Sequence, residues 1–125
     1  MTNYEEMART ICTLLDKKLG KNIVCLDIQN LTVIADYFVI CSGRNPAQVK
    51  ALYDEVEDKM AQAGHPMLRS EGYSEGRWAV MDFGSVIVHI FLEQEREFYH
   101  LERLWDNGDN RLQLQLDEDA DPAKG

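Results

Sequence analysis

The run from Val86 to Leu92, VIVHIFL, constrains the fold of this chain more than any other stretch. Along an extended backbone successive side chains point to opposite faces, so Val86, Val88, Ile90 and Leu92 share one face while Ile87, His89 and Phe91 share the other. Both faces are mostly apolar, which places the strand inside a sheet covered on both sides. Upstream lie Ala79-Val80-Met81 and then Gly84-Ser85, a pair suited to a two-residue type II′ turn in which glycine supplies the positive φ. The stretch predicts a β-hairpin at the core of the domain.

Immediately after Leu92 the composition changes. Glu93-Gln94-Glu95-Arg96-Glu97 is almost entirely polar, and Phe98, Tyr99, Leu101, Leu104 and Trp105 follow, interleaved with His100, Glu102 and Arg103. Aromatics among carboxylates, at the point where the chain leaves a rigid sheet, suit a protein-binding surface with ring anchors and an acidic rim. The same spacing suits a short amphipathic helix that packs Phe98, Leu101 and Trp105 onto its own domain. On periodicity alone the packed helix is the favoured reading of the two.

The chain's 125 residues, 45% of them hydrophobic, fit one compact domain that needs no disulfide or structural metal. No apolar run approaches the ~20 residues of a membrane span, and Glu5 and Glu6 stand where a signal peptide would be basic, so a cytoplasmic protein is expected. Cys12, Cys25 and Cys41 are odd in number and widely spaced in apolar segments, as packed, reduced thiols would be. The formal net charge of -9 disfavours direct contact with phosphate backbones, and the 13 Lys and Arg residues are scattered among 22 acids. An acidic surface is instead steered toward a basic protein, including one already seated on RNA.

Taken in order, Thr2-x-x-Glu5 has the form of a capping box, and Met7, Ala8, Ile11, Leu14 and Leu15 give a helical stripe ending near Lys17-Lys18 and Gly20. Strands are expected over Asn22 to Ile28 and Tyr37 to Ser42. Asn45-Pro46 opens the clearest helix, with Val49, Leu52, Tyr53, Val56, Met60 and Ala63 on one side and Gly64 at its close. Pro66 to Ser70 suits a short strand and Glu71 to Gly76 a loop. Past Trp105, Asp106 to Asn110 reads as a turn, and Arg111 to Leu116 alternates leucine with polar residues, as a short edge strand or an extended segment laid on the body would. The final DEDADPAKG is expected to be a mobile tail. The order α, β, β, α, β, β, β, closed by an antiparallel hairpin, implies an α/β domain with a mixed sheet flanked by helices.

Sites of chemistry are scarce. His65, His89 and His100 occur singly, with no C-x-x-C or H-E-x-x-H pattern, so neither a metal nor a cofactor is expected. His89, between Val88 and Ile90, reads as a sheet histidine. Asp27, Asp36 and Asp82 stand alone near strand ends rather than as the paired carboxylates of phosphoryl or nucleotidyl transfer, and the spaced acids Asp117, Asp119 and Asp121 fall in the tail. Cys41-Ser42-Gly43-Arg44-Asn45, before the second helix, could turn N–H groups toward an anion, but it lacks the Walker lysine and the Rossmann glycine spacing. Neither Ser42 nor Cys41 has a catalytic context.

Three segments, ADYFVICSGRNPAQVKAL (Ala35 to Leu52), EGYSEGRWAVMDFGSVIVHIF (Glu71 to Phe91) and LEQEREFYHLERLW (Leu92 to Trp105), resemble the ribosomal silencing factor, or Iojap, family. The likeness runs from the first helix to Trp105, so residues 1–105 are read as the family's domain and 106–125 as a C-terminal extension. It implies a nucleotidyltransferase-like α/β fold without the catalytic carboxylates, hence a non-enzyme. It also implies a translation repressor that binds the large ribosomal subunit through large-subunit ribosomal protein number fourteen and sterically blocks joining to the small subunit when nutrients run short. With a basic protein as partner and little direct nucleic-acid contact, the exit segment becomes the expected interface. Its anchors are Trp78, Tyr99, Leu101 and Trp105, with Asp82, Glu95, Glu102 and Asp106 as acidic partners. Two other readings stay open: a nucleotide-binding or nucleotidyltransferase enzyme using the Ser42-Gly43 turn, and a self-associating scaffold in which the aromatics form a homodimer.

Overall fold

The computed structural model describes residues 3–116, so Thr2 and the acidic stretch from Asp117 onward, including the expected tail, lie outside the described residues. Two helices lead the chain's two halves: α1 (Tyr4–Lys17) precedes β1 (Lys21–Asp27) and β2 (Tyr37–Gly43), and α2 (Pro46–Gln62) precedes β3 (Arg69–Glu71), β4 (Trp78–Asp82) and β5 (Val86–Leu92). The chain then leaves the sheet through α3 (Glu93–Tyr99) and α4 (Glu102–Trp105). The five strands lie in the order β1-β2-β5-β4-β3, antiparallel except for the β2–β5 pair, which is parallel. The fold is therefore α/β with a mixed sheet, and β5 is its middle strand.

The two faces of β5 carry two cores. Val86, Val88 and Ile90 join Val39, Cys41, Ala79 and Met81 beneath α1 and α2, whose Ile11, Leu15, Val49, Leu52 and Val56 are all fully buried. Each such side chain contributes about 1.5–3 kcal/mol relative to exposure. On the other face Phe91 joins Phe38, Ile40, Leu26 and Ile28, with Trp78, Ile87, Leu101 and Trp105 packed against them. The exit segment thus supplies part of the lid over this second face.

The hairpin turns as expected. Asp82 pairs with Ile87, the Phe83 N–H donates to the Val86 carbonyl at 3.0 Å, and Gly84 takes φ +93°. Helix α2 starts at its asparagine, whose side chain accepts from the Gln48 N–H at 2.8 Å. Helix α1 starts one residue later than the capping box suggested: Asn3 is the cap, accepting from the Glu6 N–H at 3.1 Å. At its far end Leu19, not Gly20, takes the left-handed turn at φ 66°. Gly20 is needed for space, because a Cβ there would meet the Cys41 sulfur at 2.5 Å.

Residues 106–116 return to the sheet. Asp106 and Asn107 accept from backbone N–H groups two residues on, and the Asn110 amide donates to the carbonyls of Trp105 at 2.8 Å and Asp27 at 3.0 Å. Arg111 then bridges Leu26 across the outer edge of β1, and the Leu112 N–H donates to the Cys25 carbonyl at 2.9 Å. Leu116 is buried in the core under α1, with Leu112 and Leu114 packed against that core. The alternating leucines are therefore an extended segment laid on the body with a single strand bridge.

Candidate protein-binding site

The exit segment owes its shape to a break that the sequence does not advertise. His100 adopts φ 48°, ψ 55°, a left-handed conformation unusual without glycine, and it splits the segment into α3 and α4. The expected single amphipathic helix is therefore two short ones. In α3 the inward residue is charged: Arg96 is 8% exposed and donates through Nη1 to the Asn22 carbonyl at 2.6 Å and Ser42 Oγ at 2.9 Å. Its Nε donates to Glu102 Oε2 at 3.1 Å, so one guanidinium ties α3 and α4 to the ends of β1 and β2. With Arg96 turned in, Phe98 is turned out, 79% exposed.

Four expected anchors gather on this face. Trp78, the first residue of β4, lies between Phe91, stacked at 4.7 Å, and Tyr99 at 4.9 Å, while its indole N–H donates to His89 Nδ1 at 3.2 Å. Trp105 meets Phe38 edge to face at 5.1 Å. Trp78, Leu101 and Trp105 are half-buried in the second core, and Tyr99 is 51% exposed. The segment's inner surface is therefore core, and its outer surface is an exposed apolar patch. Phe98 and Leu104, the latter 76% exposed, extend that patch and were not among the expected anchors.

The expected acidic partners are placed differently. Asp82, Glu95, Glu102 and Asp106 each bond an arginine of this chain: Arg69, Arg77, Arg96 and Arg111 respectively. Their side chains are only 15% to 19% exposed. Arg111, and then the Gly108 N–H, hold the Asp106 carboxyl below its usual range. Asp82 also sits at the turn end of β4, four residues and so about 13 Å along the strand from Trp78. These four acids shape the face rather than edge it with free charge. Exposed carboxylates include Glu75, which lines a depression with Trp78 and Tyr99, and Glu93 and Glu97 on α3.

Two depressions border the face. One of about 920 Å³ is lined by residues including Asn22, Ser42, Glu93, Arg96, Glu97 and Glu102, and one of about 200 Å³ by Gly72, Glu75, Arg77, Trp78, Glu95 and Tyr99. Ser42 itself is 1% exposed, with its oxygen accepting from Arg96. Among the described residues no three His, Cys, Asp or Glu side chains converge as a metal site would require, and no helix is long and apolar enough to cross a membrane.

Comparison with known proteins agrees with this architecture. The family model described as "Ribosomal silencing factor during starvation" matches residues 1–124. The ribosomal silencing factor RsfS of Bacillus subtilis is 36% identical over 103 residues, covering 82% of this chain and 87% of the relative. A mouse protein named for mitochondrial assembly of the ribosomal large subunit is 29% identical over 98 residues, 76% of this chain but 43% of its own length. A crystal structure from Chromobacterium violaceum superposes with a TM-score of 0.82 at 29% identity, covering 96% of this chain and all of that one.

Proposed function

This chain belongs to the ribosomal silencing factor family, and from that premise we propose that it represses translation in the cytoplasm, without catalysis, by binding the large ribosomal subunit and keeping the small subunit away. The contact is to large-subunit ribosomal protein number fourteen. The observation that carries this reading is the exposed apolar patch of Phe98, Tyr99 and Leu104 beside half-buried Trp78 and Trp105. Rings already packed on one side, as Trp78 is on Phe91 and Trp105 on Phe38, make good anchors because little side-chain freedom is lost on docking. The exposed Glu75, Glu93 and Glu97 suit a basic partner and disfavour rRNA. The name of the mouse relative, which speaks of the large subunit, points the same way.

The experiment is to add the protein to separated subunits at moderate salt and follow joining by sedimentation. Undiminished joining at stoichiometric protein defeats the proposal. Within it, Tyr99→Ala should weaken binding to large subunits by about 2 kcal/mol or more, as loss of a hot-spot ring does. Trp105→Ala should do the same and also cost stability, because its inner face packs on Phe38.

A further inference from the structure

Trp78 and Trp105 stand on different elements, yet both lead to one buried side chain. Trp78 donates its indole N–H to His89 Nδ1 at 3.2 Å. The His89 ring meets Phe38 edge to face at 4.8 Å, and Phe38 meets Trp105 in the same way at 5.1 Å. His89 lies on the middle strand, in register with Ile40 on β2 and Val80 on β4, and is 7% exposed. Because Nδ1 accepts, the neutral ring carries its hydrogen on Nε2, and that nitrogen has no hydrogen-bond partner among the described residues. A buried donor without an acceptor is costly, and an apolar residue in this strand would avoid the cost. The side-chain hydrogen bond of His89 goes to a tryptophan ring rather than to a backbone group.

That bond does what the stacking cannot. Trp78 stacks on the Phe91 ring and meets the Tyr99 ring at a tilt, and such ring contacts tolerate sliding and rotation in the ring plane, whereas a hydrogen bond from Nε1 fixes the direction of the indole. The His89 ring, held by the same bond, gives Phe38 its edge-to-face neighbour, and Phe38 is the surface on which Trp105 rests. We propose that His89 is a positioning residue that sets the orientation of both tryptophans from beneath, through its Nδ1 bond to Trp78 and its ring contact with Phe38. The orientation of the rings stands on the geometry alone; its value for docking rests on the function proposed above.

The test uses the whole ¹⁵N-labelled chain and its two indole N–H signals, assigned with Trp78→Phe and Trp105→Phe. His89→Phe keeps a ring and removes the acceptor, so the Trp78 indole hydrogen should exchange roughly tenfold faster or more, with global stability measured on the same sample. His89→Gln keeps an acceptor and removes the ring, so Trp78 should stay protected while the Trp105 signal shifts. Wild-type exchange at Trp78 in folded His89→Phe overturns the proposal. Should that variant not fold, His89→Gln decides: an unmoved Trp105 signal or an unprotected Trp78 overturns it. Binding to purified large subunits is then compared, and His89→Phe should weaken it about as much as Trp78→Ala does. Full binding by folded His89→Phe where Trp78→Ala binds poorly overturns the docking role. Full binding by both Trp78→Ala and Trp105→Ala refutes the interface instead, and the indole signals still judge His89.

Discussion

Replacing Arg96 by methionine removes the charge that holds the exit segment to the sheet while keeping most of the side chain's bulk. Three acceptors lose their donor: the Asn22 carbonyl, Ser42 Oγ and Glu102 Oε2. The heaviest loss falls on Glu102, whose other oxygen, Oε1, is already buried without a partner, and whose side chain is only 15% exposed. Breaking a buried ion pair from one side costs about 3–5 kcal/mol, because the remaining charge stays desolvated. Arg96→Met should therefore lower the unfolding free energy by that amount, read from urea denaturation. Replacing both partners, Arg96→Met with Glu102→Met, removes the stranded carboxylate and leaves chiefly the buried Ser42 hydroxyl short of a donor, a loss of about 1–3 kcal/mol. The double variant should thus be more stable than the single Arg96 variant. A single variant within about 1 kcal/mol of the parent, or a double variant no better than the single, refutes the idea that Arg96 stabilises the segment by neutralising Glu102.

Other expectations follow from single contacts. Gly72 adopts φ +85°, and a Cβ there would lie 2.0 Å from the Trp78 carbonyl oxygen; Gly72→Ala should cost about 2 kcal/mol or more, seen as a lowered melting temperature. Burial lowers the His89 pKa from 6.5 to about 4, so the unfolded chain takes up its proton first as pH falls. The destabilisation linked to this proton is absent above about pH 6.5 and grows as pH falls toward 4, to roughly 3 kcal/mol in all. His89→Phe should lack that component when denaturation curves are compared between pH 7 and 4.5. Leu116→Ala, at a leucine 4% exposed, should destabilise by about 2–4 kcal/mol in the same denaturation assay.

The parts of the fold that local chemistry dictates were legible in the sequence. Gly84-Ser85 specified the hairpin, Asn45-Pro46 the start of α2, and the two-sided apolar character of Val86–Leu92 its place in the middle of a covered sheet. What depended on distant partners was not. The pairing of Arg69 with Asp82 needs the β3–β4 register, and that of Arg77 with Glu95 needs the angle at which α3 leaves β5, so four acids that read as a free rim are neutralised within the chain. The burial of Arg96 is not legible in the sequence because a charge facing inward runs against helical amphipathicity. The break at His100 is not legible either, because a left-handed residue is expected to be glycine. The clustering of rings after the core strand is plain in the sequence, but which side of each ring is open depends on how α3 and α4 pack against Phe38 and Phe91.

The span from Asn110 to Leu116 closes the free margin of β1, and it is made after every strand and helix described here. A growing chain can hence assemble its sheet while β1 still offers unpaired N–H and C=O groups to solvent and to any passing extended peptide. Until those last leucines arrive the domain is vulnerable at that margin, and their arrival also secures α1, since Arg9 Nη1 donates to the Gln113 carbonyl at 2.6 Å. The outer margin of the sheet is thus sealed by a segment made after all five strands, and the same segment ties α1 to that margin.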